Sequence, residues 1–244
     1  MDWTCWLAHF DRNRSRPLPD PTVGLDQLPE DLRSVLAASL AKFQRGETGE
    51  GRIANEVRRI GWRAIDDRYV AALKLFVAEE GRHARILGLA VRALDGAPAP
   101  SAWSGRLFEV GRRALDPRFE LVALLGAEVA AIAAYQAMVD TLPACGLRDA
   151  LTQLVADEHH HLDFHATLFA EVAGRGPRRV ALVAALSSVV TAAGAVLLAD
   201  HAALWLALGV SPARLGAELA RALALAIERT GAHQAPPVRG EMAA

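Results

Sequence analysis

The chain has 244 residues, 52% of them apolar, which is enough for one domain with a real core; few aromatic residues (6%) and much alanine favour helices over sheets. A formal net charge of -1, with no basic stripe, speaks against a nucleic-acid partner held by bulk electrostatics. The 2 cysteines, Cys5 and Cys145, have no paired spacing; this argues against a disulfide framework or a thiolate metal site and suits a reducing, cytoplasmic setting.

Residues 1–29 read as an N-terminal arm. Its short apolar stretch is preceded by Asp2 and followed by Asp11, Arg12 and Arg14, which is not the form of a signal peptide. Trp3, Trp6 and Phe10 are its expected anchors, and Pro17, Pro19 and Pro21 keep the next stretch extended. No chemistry is expected there.

A first long helix is predicted from Pro29 to Ile60, opening on Glu30 and Asp31 and ending at Gly61. Its inner stripe is Leu36, Leu40, Phe43, Glu47, Glu50, Ala54 and Val57. Either glutamate can turn inward, and either can face solvent beside Arg52 or Arg58.

The second helix runs from a cap at Asp66 or Asp67 to Gly96. Tyr69, Leu73, Phe76, Glu80, His83, Leu87, Ala90 and Leu94 alternate at spacings of four and three, the seam of a packed helix. Lys74, Arg82, Arg85 and Arg92 lie off that seam and read as its solvated face. Residues 97–116 are too long for a tight turn and fit a crossover, with a short helix around Leu107 to Arg113.

The third helix starts near Pro117. Glu128 is its one charge between Leu121 and Val139, on the stripe Leu121, Leu124, Glu128, Ala131, Tyr135, Met138 and Leu142. A lone carboxylate there must be protonated, paired or bound to a cation. After a turn at Pro143 the fourth helix repeats the seam of the second: Leu147, Leu151, Leu154, Glu158, His161, His165, Leu168 and Val172. His159 and His160 point outward or toward an adjoining helix, and His165 reads as a core histidine bonded to a neighbour.

Burying a charge without a partner is costly. One Glu-x-x-His pair on a helix seam would mean little, because the spacing is common on solvated helices. Two pairs at equivalent seam positions, Glu80/His83 and Glu158/His161, with inward carboxylates on two further helices, form a pattern that requires neutralisation by something cationic.

Beyond the fourth helix, Pro177-Arg178-Arg179 opens a very apolar helix, about Val180 to Gly209. Val180 to Ala199 carries no charge, so a membrane span is possible by length. Ser187, Ser188, Thr191 and Gly194 make the stretch weakly hydrophobic, and a helix packed on the bundle or on a second subunit is preferred. Ser211-Pro212 starts a sixth helix that ends near Gly231, and residues 232–244 read as a disordered tail.

The chain resembles the ferritin-like di-iron carboxylate proteins, a superfamily that includes rubrerythrins, demethoxyubiquinone hydroxylases and bacterial multicomponent monooxygenases. The likeness is carried by the two Glu-x-x-His pairs and by Gly46-Glu47-Thr48-Gly49-Glu50-Gly51-Arg52-Ile53, which is similar to the Gly-Glu-x-Gly-x-x-Arg-Ile of the ubiquinone hydroxylases. It implies an all-α, ferritin-like four-helix bundle over residues 30–174, with one long crossover and a helical extension over 175–231. It implies two iron ions, with manganese in place of one iron left open, held by Glu47, Glu80, His83, Glu128, Glu158 and His161. Glu50 stays as the alternative or extra ligand of the first helix. In the monooxygenases an acid precedes each Glu-x-x-His and bonds the histidine of the opposite helix; Glu79 and Asp157 occupy those places. Tyr135 is a candidate hydrogen-bond or radical donor.

The implied activity is that of a non-haem di-iron oxidoreductase, which activates dioxygen to oxidise or hydroxylate a small organic substrate with electrons from an external donor. A homodimer fits the apolar fifth helix. Two alternatives stand beside this reading: rubrerythrin-like iron oxidation or peroxide scavenging, and a metal-free helical scaffold, which would leave the seam carboxylates unexplained.

Overall fold

The computed structural model describes residues 2–48, 51, 53–99 and 116–231. Among these residues the structure is all-helical, without strands. Glu50, Arg52, the expected helix around Leu107 to Arg113 and the expected tail at 232–244 lie outside the described residues.

The arm contains a helix, α1 (Thr4–Asn13), and a short 3-10 turn (Leu25–Gln27). Trp3, Trp6 and Phe10 are buried and meet Tyr69, Phe76 and Phe164 edge-on. The Trp3 indole N–H donates to the Ala64 carbonyl at 2.8 Å, so the polar edge of the largest anchor is satisfied.

The first long helix is shorter than expected. Helix α2 (Glu30–Glu47) stops at Glu47, and helical turns resume as α3 (Ile53–Glu56) and a 3-10 turn (Val57–Ile60) before Gly61, which has φ 73°. Three glycines within six positions, Gly46, Gly49 and Gly51, each cost a helix about 1 kcal/mol relative to alanine, which accounts for the break. Glu47 therefore stands in the last turn of α2 and not in mid-helix.

Helix α4 (Asp67–Ala93) begins under Asp66, whose carboxylate accepts from the Tyr69 N–H at 2.8 Å. Helix α5 (Pro117–Val139) begins under Asp116, with Pro117 in its first turn, and is buried on nearly every side. A turn from Asp140 to Cys145 reverses the chain into α6 (Gly146–Ala173). Gly146 is required there: a Cβ would lie 2.1 Å from the Asp20 carbonyl oxygen, and its N–H donates to the Val23 carbonyl at 2.8 Å, fastening the arm to the start of α6.

The apolar segment that follows is two helices, α7 (Gly176–Asp200) and α8 (Ala202–Ala207), where one was expected. Side chains take up the carbonyls at the break: Lys42 donates to Asp200 O, and the Trp205 indole donates to Leu197 O at 2.8 Å. His201 stacks on Phe43 at 4.3 Å. Helix α9 (Pro212–Arg229) starts at a Ser211 cap.

Helix α2 packs on α4 and α5 on α6, and α7 and α9 cover α5. Both α5 and α7 are long and apolar enough to cross a membrane, but 78% of the most apolar window of α5 is buried, as in a core helix. Helix α7 differs: only 28% of its window is buried, through the single stripe Leu182, Leu186, Val190, Gly194 and Leu197. Ala185, Val189, Ala193 and Leu198 flank that stripe half-buried, and the remaining face of the window is exposed among the described residues.

Candidate metal centre

Four helices bring carboxylates to one point. Glu47 ends α2, Glu80 and His83 are one turn apart on α4, Glu128 is in the middle of α5, and Glu158 and His161 are one turn apart on α6. All six are buried. The spacing of three residues places Glu and His on one helix face, and the apolar residues on either side of each pair hold that face inward.

Glu80, His83, Glu158 and His161 could hold a metal ion: one donor atom from each falls within 4.8 Å of the others. Both imidazoles turn Nδ1 to this point. His161 Nδ1 is 2.8 Å from Glu80 Oε1 and 3.1 Å from Glu158 Oε2, and His83 Nδ1 is 3.2 Å from Glu158 Oε1 and 3.7 Å from Glu80 Oε1. Glu80 and Glu158 thus each face both histidines. Glu47 lies on the His83 side, 3.9 Å from Nδ1, and Glu128 on the His161 side, also 3.9 Å from Nδ1.

The far nitrogens point the other way. His83 Nε2 faces Asp157 of α6 at 3.4 Å, and His161 Nε2 faces Glu79 of α4 at 3.3 Å. Each helix therefore supplies the acid behind the other helix's histidine. An Nε2–H that donates to a carboxylate leaves the Nδ1 lone pair for a cation. Both acids are buried, at 4% and 1% exposure, so neither belongs to a solvated face. Burial alone would raise their pKa values. Hydrogen bonds outweigh it, from His161 for Glu79 and from His83 and Arg16 for Asp157, and hold both below the ordinary carboxylate range.

Metal-free, the cluster is rich in protons. Burial, then the neighbouring carboxylates, push Glu47 and Glu128 well above the ordinary range. Burial opposes charge on His83 and His161, but the acids around them prevail: His83 is raised to about 9 and His161 well above the usual value. Glu158, against the effect of burial, is held well below it by His161 and His83. The Tyr135 hydroxyl donates to Glu47 Oε1, and burial raises the phenol well above its usual value.

Several residues behave differently from the sequence reading. Arg82 is buried, not solvated; its guanidinium donates to the Asn13 and Arg16 carbonyls and lies 4.0 Å from Glu79. The arm reaches the cluster, where no role was expected of it: Arg16 clamps Asp157 with Nη2 at 2.6 Å from Oδ1 and 2.5 Å from Oδ2. Arg16 is one of three arginines in Arg12-Asn13-Arg14-Ser15-Arg16, and no periodic signal singles it out. His160 follows one of its two expected orientations, toward an adjoining helix: it packs against the buried His9 of α1, with ring centroids 4.5 Å apart. His165 is fully buried, yet neither ring nitrogen has a hydrogen-bond partner among the described residues, contrary to the expected bonded core histidine. Cys5 and Cys145 are free thiols and take no part in the cluster.

Comparison of the chain with protein-family models, with curated proteins and with solved structures finds no match.

Proposed function

We propose that the chain is a non-haem di-iron oxidoreductase of the ferritin-like kind, with α2, α4, α5 and α6 as its four-helix bundle. The observation that carries this reading is the position of Glu80 and Glu158, each facing the inward Nδ1 of both histidines. Carboxylates so placed would help to hold two cations, together with Glu47 and His83 on one side and Glu128 and His161 on the other.

Charge supports two ions over one. Glu47, Glu80, Glu128 and Glu158 carry four negative charges when ionised, which two divalent cations balance. Of the two buried acids behind the histidines, Glu79 lies 4.0 Å from Arg82 and Asp157 is paired with Arg16. Oxygen and imidazole donors suit iron or manganese.

Two ferrous ions would supply the electrons that dioxygen needs for its activation. The chain's part is to hold them and to keep protons in order. Asp157 and Glu79 fix the Nε2–H tautomer of His83 and His161, the Arg16 guanidinium helps to keep Asp157 ionised, and the Tyr135 hydroxyl orients Glu47. Burial of all six donors excludes bulk water from the reacting centre. In this reading a small organic substrate is oxidised, and an external donor returns the electrons.

The test is metal analysis of protein made with ample iron and manganese, followed by oxygen consumption of the reduced protein. Two metals per chain and a stoichiometric oxygen uptake are expected. Protein that carries neither metal would reduce the reading to a helical scaffold. Continuous ferrous uptake far beyond two ions, with mineral formation, would instead mean iron storage.

A further inference from the structure

The half-sites of the cluster are related by repetition of one pattern: Glu80-x-x-His83 on α4 and Glu158-x-x-His161 on α6. One turn further on, the repetition fails. Leu87 follows His83, whereas His165 follows His161. Both positions are on the inner seam and both side chains are fully buried. A buried leucine there needs nothing. A buried imidazole needs partners for two nitrogens, and among the described residues His165 has a hydrogen-bond partner for neither.

The ring is not loosely held. Phe76 meets it edge-on at 5.0 Å and Phe164 lies at 5.3 Å. This packing aims Nε2 at Glu128 Oε1, 3.7 Å away, too far for a hydrogen bond. The other oxygen of the same carboxylate faces His161 Nδ1 at 3.9 Å. Two donors on one ion, each about 2.1 Å from it, stand about 3–4 Å apart, and the Nε2–Oε1 separation falls in that interval.

We propose that His165 is a third imidazole ligand, which binds through Nε2 and completes the half-site of Glu128 and His161. The inference rests on the metal-centre reading above. It makes the two metal positions unequal: one has a single nitrogen donor, His83, and the other has two. The unmet nitrogen aimed at the cluster is then explained as a ligand without its cation. The ligand set gains a residue that two Glu-x-x-His pairs and two further glutamates do not contain.

The experiment uses the full chain loaded with cobalt(II), in wild type, His165→Gln and His165→Leu. Each imidazole bound to a paramagnetic ion gives one strongly shifted, solvent-exchangeable N–H proton signal. Wild type should show three, and each variant should lose one and keep the two from His83 and His161, which also shows that the variants are folded. In a competitive titration, one of the two cobalt ions should bind at least about tenfold more weakly in both variants, since even an outer partner of a ligand is worth about 10–100-fold. Glutamine can still donate to Glu128. Two shifted signals in wild type, with unchanged affinity in His165→Gln, would overturn the proposal and leave His165 as a hydrogen-bond partner at most. Wild type that binds no cobalt, iron or manganese would remove the metal-centre reading itself, which is a different result.

Discussion

Replacing Glu47 by glutamine should separate what holds the protein together from what holds a metal. Glu47 is 8% exposed; its Oε1 accepts from the Tyr135 hydroxyl and its Oε2 lies 3.9 Å from His83 Nδ1. Burial, then the charges of Glu80 and Glu158, push its carboxyl well above the ordinary range when no metal is present, which favours the protonated acid. Glutamine has the shape and polarity of that protonated acid: its carbonyl can accept from Tyr135 and its amide can donate to Glu80. Metal-free stability should change by less than about 1 kcal/mol, since no buried group loses its partner. Metal binding should suffer much more. A unit charge pair about 4 Å apart is worth about 4 kcal/mol at an effective permittivity near 20, and a divalent ion doubles it. Desolvating the ionised carboxylate takes part of this back, so the net loss should be about 4 kcal/mol, or roughly a thousandfold in affinity. Urea unfolding of the metal-free proteins and competition with a chromophoric chelator measure the two quantities. Unchanged metal affinity, or a metal-free variant less stable by more than about 3 kcal/mol, would refute the reasoning.

Asp157→Asn should weaken metal binding about 10–100-fold by releasing His83 Nε2, and Arg16→Met should do the same to a smaller degree; equal affinity in the same titration would show that the clamp is only structural. Metal uptake should release protons and strengthen as pH rises, because His83, His161, Glu47 and Glu128 all have raised pKa values and must give up protons to the cation; calorimetry in buffers of different ionisation enthalpy would show no net release if this is wrong. In the metal-free protein the stability contributed by His83, raised from 6.5 to about 9, is fully present below pH 6.5 and lost as pH rises through about 9, which urea midpoints across that window would follow. Gly126→Ala should cost about 1–3 kcal/mol, because its Cβ would stand 2.4 Å from Val189 Cγ1 and force α7 off α5; Gly216→Ala, with nothing within 4 Å, should gain up to about 1 kcal/mol, and equal midpoints for the two would contradict the packing argument.

What the sequence determined by itself is local. The period of a helix turns spacing into direction, so the seams of α4 and α6 show that Glu80, His83, Glu158, His161 and His165 face inward, and the stripe of α5 does the same for Glu128. The all-helical class follows from the same pattern. Only the tertiary structure decided what depends on chain segments far apart in sequence. The Arg16 guanidinium reaches Asp157, 141 positions away, and the Arg82 guanidinium turns into the arm instead of into water. Neither has a periodic signature, because Arg16 lies outside any helix and a long arginine side chain can serve solvent or a buried acid from the same position. The end of α2 at Glu47 was written in three glycines, yet the seam continued past them, and propensity prevailed where the seam alone suggested one helix. His165 shows the division most plainly. Its place on the seam was legible, but the absence of a partner for either nitrogen depends on Glu128, Phe76 and Phe164 together, and contacts among three helices are set by packing rather than by period.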